Sequence, residues 1–280
     1  MTATAVTRPG GTARALVVTH SPTEGVGTLG AWLPEAGLEL VVVEPWNGDA
    51  LPVGLDGYDA LIVMGGPQQA YDEDSAPWLR ATKDLLRAAV DGSVPTLGVC
   101  LGAQLLAEAC GGRVVTGEDG IEAGARLVAK RDAAWDDALL ADVPFTTTVV
   151  QWHDDVVVDL PPGAVLLASS SRYPHQAFRV GSRAWGLQFH VETSPEMVRH
   201  WGAEYGGPVL ELGLDPVALA ERAVGELEEV EACWRPVMER FAELAQGRGR
   251  TVLPLVSVDT FDTIDSEEQA PREQAIQEQE

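Results

Sequence analysis

Three scattered cysteines in 280 residues, Cys100, Cys110 and Cys233, provide neither a disulfide framework nor a metal cluster, so each thiol is read singly. That sparseness suits a reducing compartment. Basic residues are scarce too. Nineteen Lys and Arg stand against 43 Asp and Glu, a formal charge of -24, which argues against nucleic acid or an anionic membrane as the main partner, because both need clustered cations. No apolar run is long enough to span a bilayer, and the opening "MTATAVTRPGGTAR" holds no apolar segment of the kind a secretory leader needs. A cytoplasmic protein is expected. Internal repeats and a GxxxxGK[ST] phosphate loop are also missing.

What is present is ample apolar material, 45% of the chain, enough for a sizeable core. Residues 257–280 carry eight acids against one arginine with little apolar content after Ile264, the composition of a disordered tail. The reading by segment is a flexible start over 1–12, one domain over 13–210, a helical extension over 211–248 and an acidic tail over 249–280.

Apolar β-branched runs, "RALVVT", "ELVVVEP", "YDALIVMGG" and "PTLGVC", alternate with stretches that suit helices, "TEGVGTLGAWLPEAG", "SAPWLRATKDLLRAAVDG" and "AQLLAEACGG". This rhythm predicts an α/β fold with a mostly parallel central sheet flanked by helices, whose ligands gather at the C-terminal ends of the strands. From 113 to 190 short strands with turn signals take over, an antiparallel addition to the same domain. After a helix in "EMVRHWGAEY", apolar positions Ala220, Ala223, Leu227, Val230, Trp234, Val237, Phe241 and Leu244 recur at spacings of three and four. They predict one long helix that Pro236 kinks or divides. Its apolar face packs on its own domain, or serves a partner or a second copy in a homodimer.

Gly98-Val99-Cys100-Leu101-Gly102 has the G-x-nucleophile-x-G form of a tight strand-to-helix turn, where a helix N-terminus favours a thiolate. Cys110 and Cys233 have no such setting and read as small core thiols. In "GLQFHVE", period two puts His190 and Glu192 on one side of an extended chain, so that the carboxylate can hold the ring while its far nitrogen faces a thiol. Gly65-Gly66-Pro67 is a rigid bend with bare backbone, able to aim an N–H at an oxyanion. His175 and His200 read as surface or hydrogen-bonded residues, and His20 and His153 as residues near a site rim.

"MGGP", "GVCLGAQ" and "GLQFHVE", in that order and at these spacings, resemble class I (triad type) glutamine amidotransferases, and the flanking "HSPTEGVGTLGAWLPEAG" and "VVQWHDDVVVDLPPGAVLLASS" resemble free-standing members related to the glutaminase domain of GMP synthetase. The resemblance covers about residues 14–205 and implies a flavodoxin-like fold. It also implies Cys100 as nucleophile, His190 as base and then acid, and Glu192 as orienting carboxylate. Gly66 and Leu101 N–H groups would form the oxyanion hole, and Gln104 with the His153-Asp154-Asp155 segment would hold the substrate. The implied chemistry, hydrolysis of the glutamine side-chain amide through a γ-glutamyl thioester, needs no metal or organic cofactor. Its ammonia would go to a separate synthase. An alternative substrate for the same triad is a γ-glutamyl peptide or amide, and a third reading is a non-catalytic binding module. Two departures stand out. Val191 replaces a proline common in relatives, and His153-Asp154-Asp155 replaces His-Gly-Asp. The second would strain the backbone if that loop needs a positive φ, and adds a carboxylate opposite a substrate carboxylate.

Overall fold

The computed structural model describes residues 12–248; the expected flexible start, residue 12 apart, and the acidic tail lie outside the described residues. Strands β1 (Ala13–Val18), β2 (Leu38–Val43), β3 (Ala60–Val63) and β4 (Thr96–Val99) alternate with helices α1 (Leu29–Glu35), α2 (Trp78–Asp91) and α3 (Leu101–Ala109). Then come β5 (Arg113–Thr116), β6 (Glu122–Lys130), β7 (Thr146–His153), β8 (Asp155–Asp159), β9 (Val165–Ser169), β10 (Ala177–Val180) and β11 (Ala184–Leu187). Helices α4 (Pro195–Glu204), α5 (Gly207–Glu211), α6 (Pro216–Gly225) and α7 (Leu227–Ala245) complete the described chain.

One nine-stranded sheet has the order β2-β1-β3-β4-β11-β10-β9-β6-β7, and β5 pairs with β8 apart from it. The first five strands of that order are mutually parallel, and the remaining pairings are antiparallel. Apart from the edge strand β2, which is partly exposed, the apolar runs of the parallel half are buried on both faces, as strands between two helical layers must be. Period two divides them: Leu16, Val18, Leu61 and Val63 join one core with α2 and α3, while Ala15, Val17, Ala60 and Ile62 join the other. The antiparallel half curves round until β7 reaches His190, three residues beyond the end of β11: Val150 and His190 exchange backbone hydrogen bonds of 2.8 and 3.3 Å.

The C-terminal helices differ from the sequence expectation. The chain breaks at Gly225–Glu226 rather than at Pro236, which lies inside α7. Asp215 caps α6 by accepting from the Val217 and Ala218 N–H groups at 2.9 and 3.1 Å. Helix α6 then presses on α4, where a Cβ on Gly202 would meet that of Ala220 at 2.8 Å. Helix α7 serves a different surface, packing Trp234 against Phe189 with ring centroids 5.0 Å apart and donating from Trp234 Nε1 to the Thr148 carbonyl at 3.4 Å. The chain turns between these two surfaces at Gly225–Glu226. The apolar face is buried against its own chain and is no open docking surface. No described helix is long and apolar enough to cross a membrane.

Candidate functional site

Four of the parallel strands deliver the site from their C-terminal ends: the loop holding Glu24 follows β1, Gly65-Gly66 follow β3, Cys100 follows β4 and His190 follows β11. Because β4 lies between β3 and β11, the cysteine emerges between a bare backbone on one side and a histidine on the other. Cys100 adopts φ 51°, ψ -107°, a conformation costing about 1–3 kcal/mol in a non-glycine residue. The surroundings impose it. Its N–H donates to the Leu187 carbonyl at 2.8 Å, and its own carbonyl accepts from Ala103 and Gln104 at 2.9 and 3.1 Å. The flanking glycines are required by backbone approach: a Cβ on Gly98 would sit 2.5 Å from the Gly102 carbonyl oxygen, and one on Gly102 would sit 2.0 Å from that of Val63.

His190 Nδ1–H donates to Glu192 Oε1 at 2.7 Å. The second carboxylate oxygen accepts from the Val191 N–H at 2.9 Å, so both oxygens of a fully buried carboxylate have donors. Trp201 walls the imidazole, ring centroids 4.4 Å apart. Burial alone would lower the His190 pKa, but the charges of Glu192 and of the Cys100 sulfur, with their hydrogen bonds, outweigh it and hold the ring well above its ordinary value. Gln188 Nε2 donates weakly to Cys100 Sγ at 3.8 Å.

Above Cys100 opens a cavity of about 280 Å³ whose lining includes Glu24, Gly66, Gln104, Trp152, His153, Asp154, Asp155 and Tyr205. Gly66 lies against Leu101, where an added Cβ would be 3.0 Å from Leu101 Cδ2, so the two backbone segments expected to supply oxyanion donors are adjacent. Gln104 Nε2 donates to the Asp155 carbonyl at 2.9 Å and to Gln188 Oε1 at 3.3 Å, tying the elbow helix to the far wall. His153 Nδ1–H donates to the same Asp155 carbonyl at 3.0 Å, and its Nε2 stands 3.4 Å from Glu122 Oε2. Burial acts to raise the Glu122 pKa, yet bonds from His153, Ser170 and Gln176 prevail and keep it below the usual range. Among the described residues no cluster of three or more His, Cys, Asp or Glu side chains is placed to hold a metal.

A family model described as Glutamine amidotransferase class-I matches residues 33–200. The chain belongs to that family. It is 34% identical over 197 residues to GMP synthase [glutamine-hydrolyzing] of Porphyromonas gingivalis, an alignment that takes in 67% of this chain and 35% of that protein; the chain thus matches about a third of that relative's length. With gamma-glutamyl peptidase 5 of Arabidopsis thaliana it shares 28% identity over 63% of this chain and 69% of the other. The crystal structure of a glutamine amidotransferase from Thermotoga maritima superposes with a TM-score of 0.73 at 30% identity, covering 83% of this chain and 99% of that one.

Within this amidotransferase the two departures acquire physical content. Val191 supplies an N–H to Glu192 that a proline lacks. Asp154 is not among the described residues with positive φ, which besides glycine are Ser93 and Cys100, so an aspartate in place of glycine causes no backbone strain. Its side chain is exposed at the cavity wall and accepts from the Asp155 N–H at 3.0 Å. The Asp155 carboxyl binds Thr116 Oγ1 at 2.8 Å, and burial pushes its pKa up.

His20 belongs to a neighbouring groove with Trp46, His200 and Tyr205 rather than to the cavity itself. Trp78 Nε1 donates to its Nδ1 at 3.1 Å. His175 is hydrogen-bonded as expected, to the Val157 carbonyl at 2.8 Å, and His200 is half-buried. Cys110 and Cys233 are only partly buried, short of the core position expected, and burial raises both thiols. Glu24, Gln188 and the walls Trp152, Trp201 and Tyr205 were not foreseen from sequence. The sequence suits a helix over "TEGVGTLGAWLPEAG", but α1 spans only Leu29–Glu35 and the glycine-rich first part, Glu24 included, is a loop.

Proposed function

We propose that this amidotransferase hydrolyses the side-chain amide of L-glutamine through Cys100, His190 and Glu192. The observation that carries the reading is the forced conformation of Cys100, which raises a sulfur over a cavity beside a histidine already braced by a carboxylate. Cys100 sulfur attacks the amide carbon, and the oxyanion is received by the Gly66 and Leu101 N–H groups. The C–N bond breaks as His190 Nε2 gives its proton to the nitrogen, releasing ammonia and leaving a γ-glutamyl thioester. Water then attacks the thioester, His190 takes its proton, and glutamate and the thiolate are regenerated. Gln104 and the His153–Asp155 segment line the space for the α-amino and α-carboxylate groups. The ammonia passes to a separate synthase in the cytoplasm. Release of glutamate and ammonia from L-glutamine by the isolated protein, lost in Cys100→Ala, tests the reading; a wild-type protein inert toward glutamine, alone and with candidate synthases, would refute it.

A second reading, hydrolysis of γ-glutamyl peptides or amides, is favoured by one feature: the cavity shares Pro67, Gln68 and Tyr205 with the adjoining groove, so a larger leaving group has somewhere to lie. A substrate panel decides between them. Preference for γ-glutamyl dipeptides over glutamine in kcat/KM supports the second, and the reverse supports the first.

A further inference from the structure

One carboxyl at this site has no place in the Cys100–His190–Glu192 line. Glu24 lies in the loop "SPTEGVGT" after β1, and that loop is fastened to the triad. Thr28 N–H donates to the Glu192 carbonyl at 2.8 Å, and Gly27 passes so close that a Cβ there would fall 1.9 Å from the same oxygen. Glu24 N–H is held by Ser21 Oγ at 3.1 Å. The side chain, 6% exposed, is thereby laid over Gly65. From the point that a Cβ on Gly65 would occupy, His190 Cε1 is 3.1 Å away, Glu24 Oε2 3.2 Å and Cys100 Cβ 3.7 Å. Three groups share the bare face of one glycine. Among the described residues no hydrogen bond reaches the Glu24 carboxyl, yet it lines the same cavity as Cys100 and Gly66. A desolvated acceptor without a donor is a cost that a ligand can remove.

We propose that Glu24 accepts a hydrogen bond from the leaving nitrogen of the substrate and so selects amides over esters; the inference rests on the hydrolase reading above. With the substrate oxygen turned to the Gly66 and Leu101 N–H groups, the leaving atom faces His190 Nε2, the ring neighbour of the Cε1 beside Glu24. An amide nitrogen carries hydrogen before His190 protonates it and gains positive charge as it departs. A hydrogen bond to Glu24 therefore strengthens towards the transition state, which accelerates the step rather than only tightening binding. An ester oxygen has no hydrogen to offer. Burial pushes the Glu24 carboxyl up to about 7, His190 acting downward and Glu192 upward, and a carboxyl oxygen can accept in either protonation state.

The test compares full-length wild type, Glu24→Ala and Glu24→Gln on L-glutamine and on L-glutamate γ-methyl ester, which form the same thioester; kcat/KM reports acylation for both. The amide-to-ester ratio of kcat/KM is expected to fall about tenfold or more in Glu24→Ala, the effect of one charge-assisted hydrogen bond. Glu24→Gln, whose side-chain oxygen still accepts, should recover part of it. Ester turnover certifies a folded site in each variant. An unchanged ratio, whether both activities fall together or neither does, overturns the assignment while leaving the hydrolase reading intact. A wild type that hydrolyses neither compound ends both.

Discussion

The two walls of the cavity are built on different terms. The wall carrying Cys100, Gly66 and His190 grows from the ends of parallel strands, and backbone contacts too close to admit a Cβ fix its atoms: Gly98 against Gly102, Gly102 against Val63. The facing wall, His153 to Asp155, comes from the antiparallel half and is held by side chains: Gln104 on the Asp155 carbonyl, Thr116 on the Asp155 carboxyl, and Ser170 and Gln176 on Glu122. A backbone-defined wall suits chemistry that must keep its geometry, and a side-chain-defined wall suits recognition that can vary between relatives.

The comparison can be broken from the first wall. Cys100→Ala is expected to lower amide hydrolysis by ~10⁴-fold or more with no loss of melting temperature, measured as glutamate release beside a thermal scan. Gly102→Ala should instead strike the fold, because its methyl has only backbone to displace. About 3 kcal/mol of stability is expected to go, a drop on the order of 10 °C in Tm.

His20, beside the first wall, predicts a pH effect. Its pKa is lowered to about 4 by burial, so between 6.5 and 4 the unfolded chain takes up a proton that the folded chain refuses, and stability falls as pH falls through that window. The loss is about 2 to 3 kcal/mol. Denaturant titrations of wild type and His20→Gln at pH 7.5 and 4.5 should differ in their pH dependence by most of that amount, with the wild type the more acid-sensitive.

Smaller effects sharpen the contrast. Val191→Pro removes the donor to Glu192 Oε2, and kcat should fall about tenfold with KM nearly unchanged if, as proposed, the carboxylate orients the ring and does not bind substrate. On the opposite wall Asp154→Asn removes a negative charge from the cavity rim. KM for L-glutamine should drop about threefold at low ionic strength, less at high salt, with kcat unchanged. A kcat effect there would mean that the two walls are not divided in labour as described.

Cys100 and His190 were legible because local grammar marks them: glycines flank the one and a strand ends just before the other. The parallel half was legible for a similar reason, its strands being continuous apolar runs. The break at Gly225–Glu226 was hidden because the apolar spacing of three and four runs straight through it, while the separate surfaces that α6 and α7 cover lie outside the segment. Pro236 does not divide the helix, since packing by Trp234, Val237 and Phe241 carries α7 past it. Glu24 and Gln188 owe their positions to neighbours remote in sequence. A glutamate in a glycine-rich loop looks solvated until Thr28 is found bonded to Glu192.

The backbone exchange between Val150 and His190 has a further consequence. It closes β11, β10, β9, β6 and β7 into a ring, with His190 at the seam. A slip in register between any two of those strands would reach the seam as a displacement of the imidazole, so pairing errors far from the cavity register there first. Among the described residues the ring leaves β2, at the end remote from His190, as the sheet's open margin.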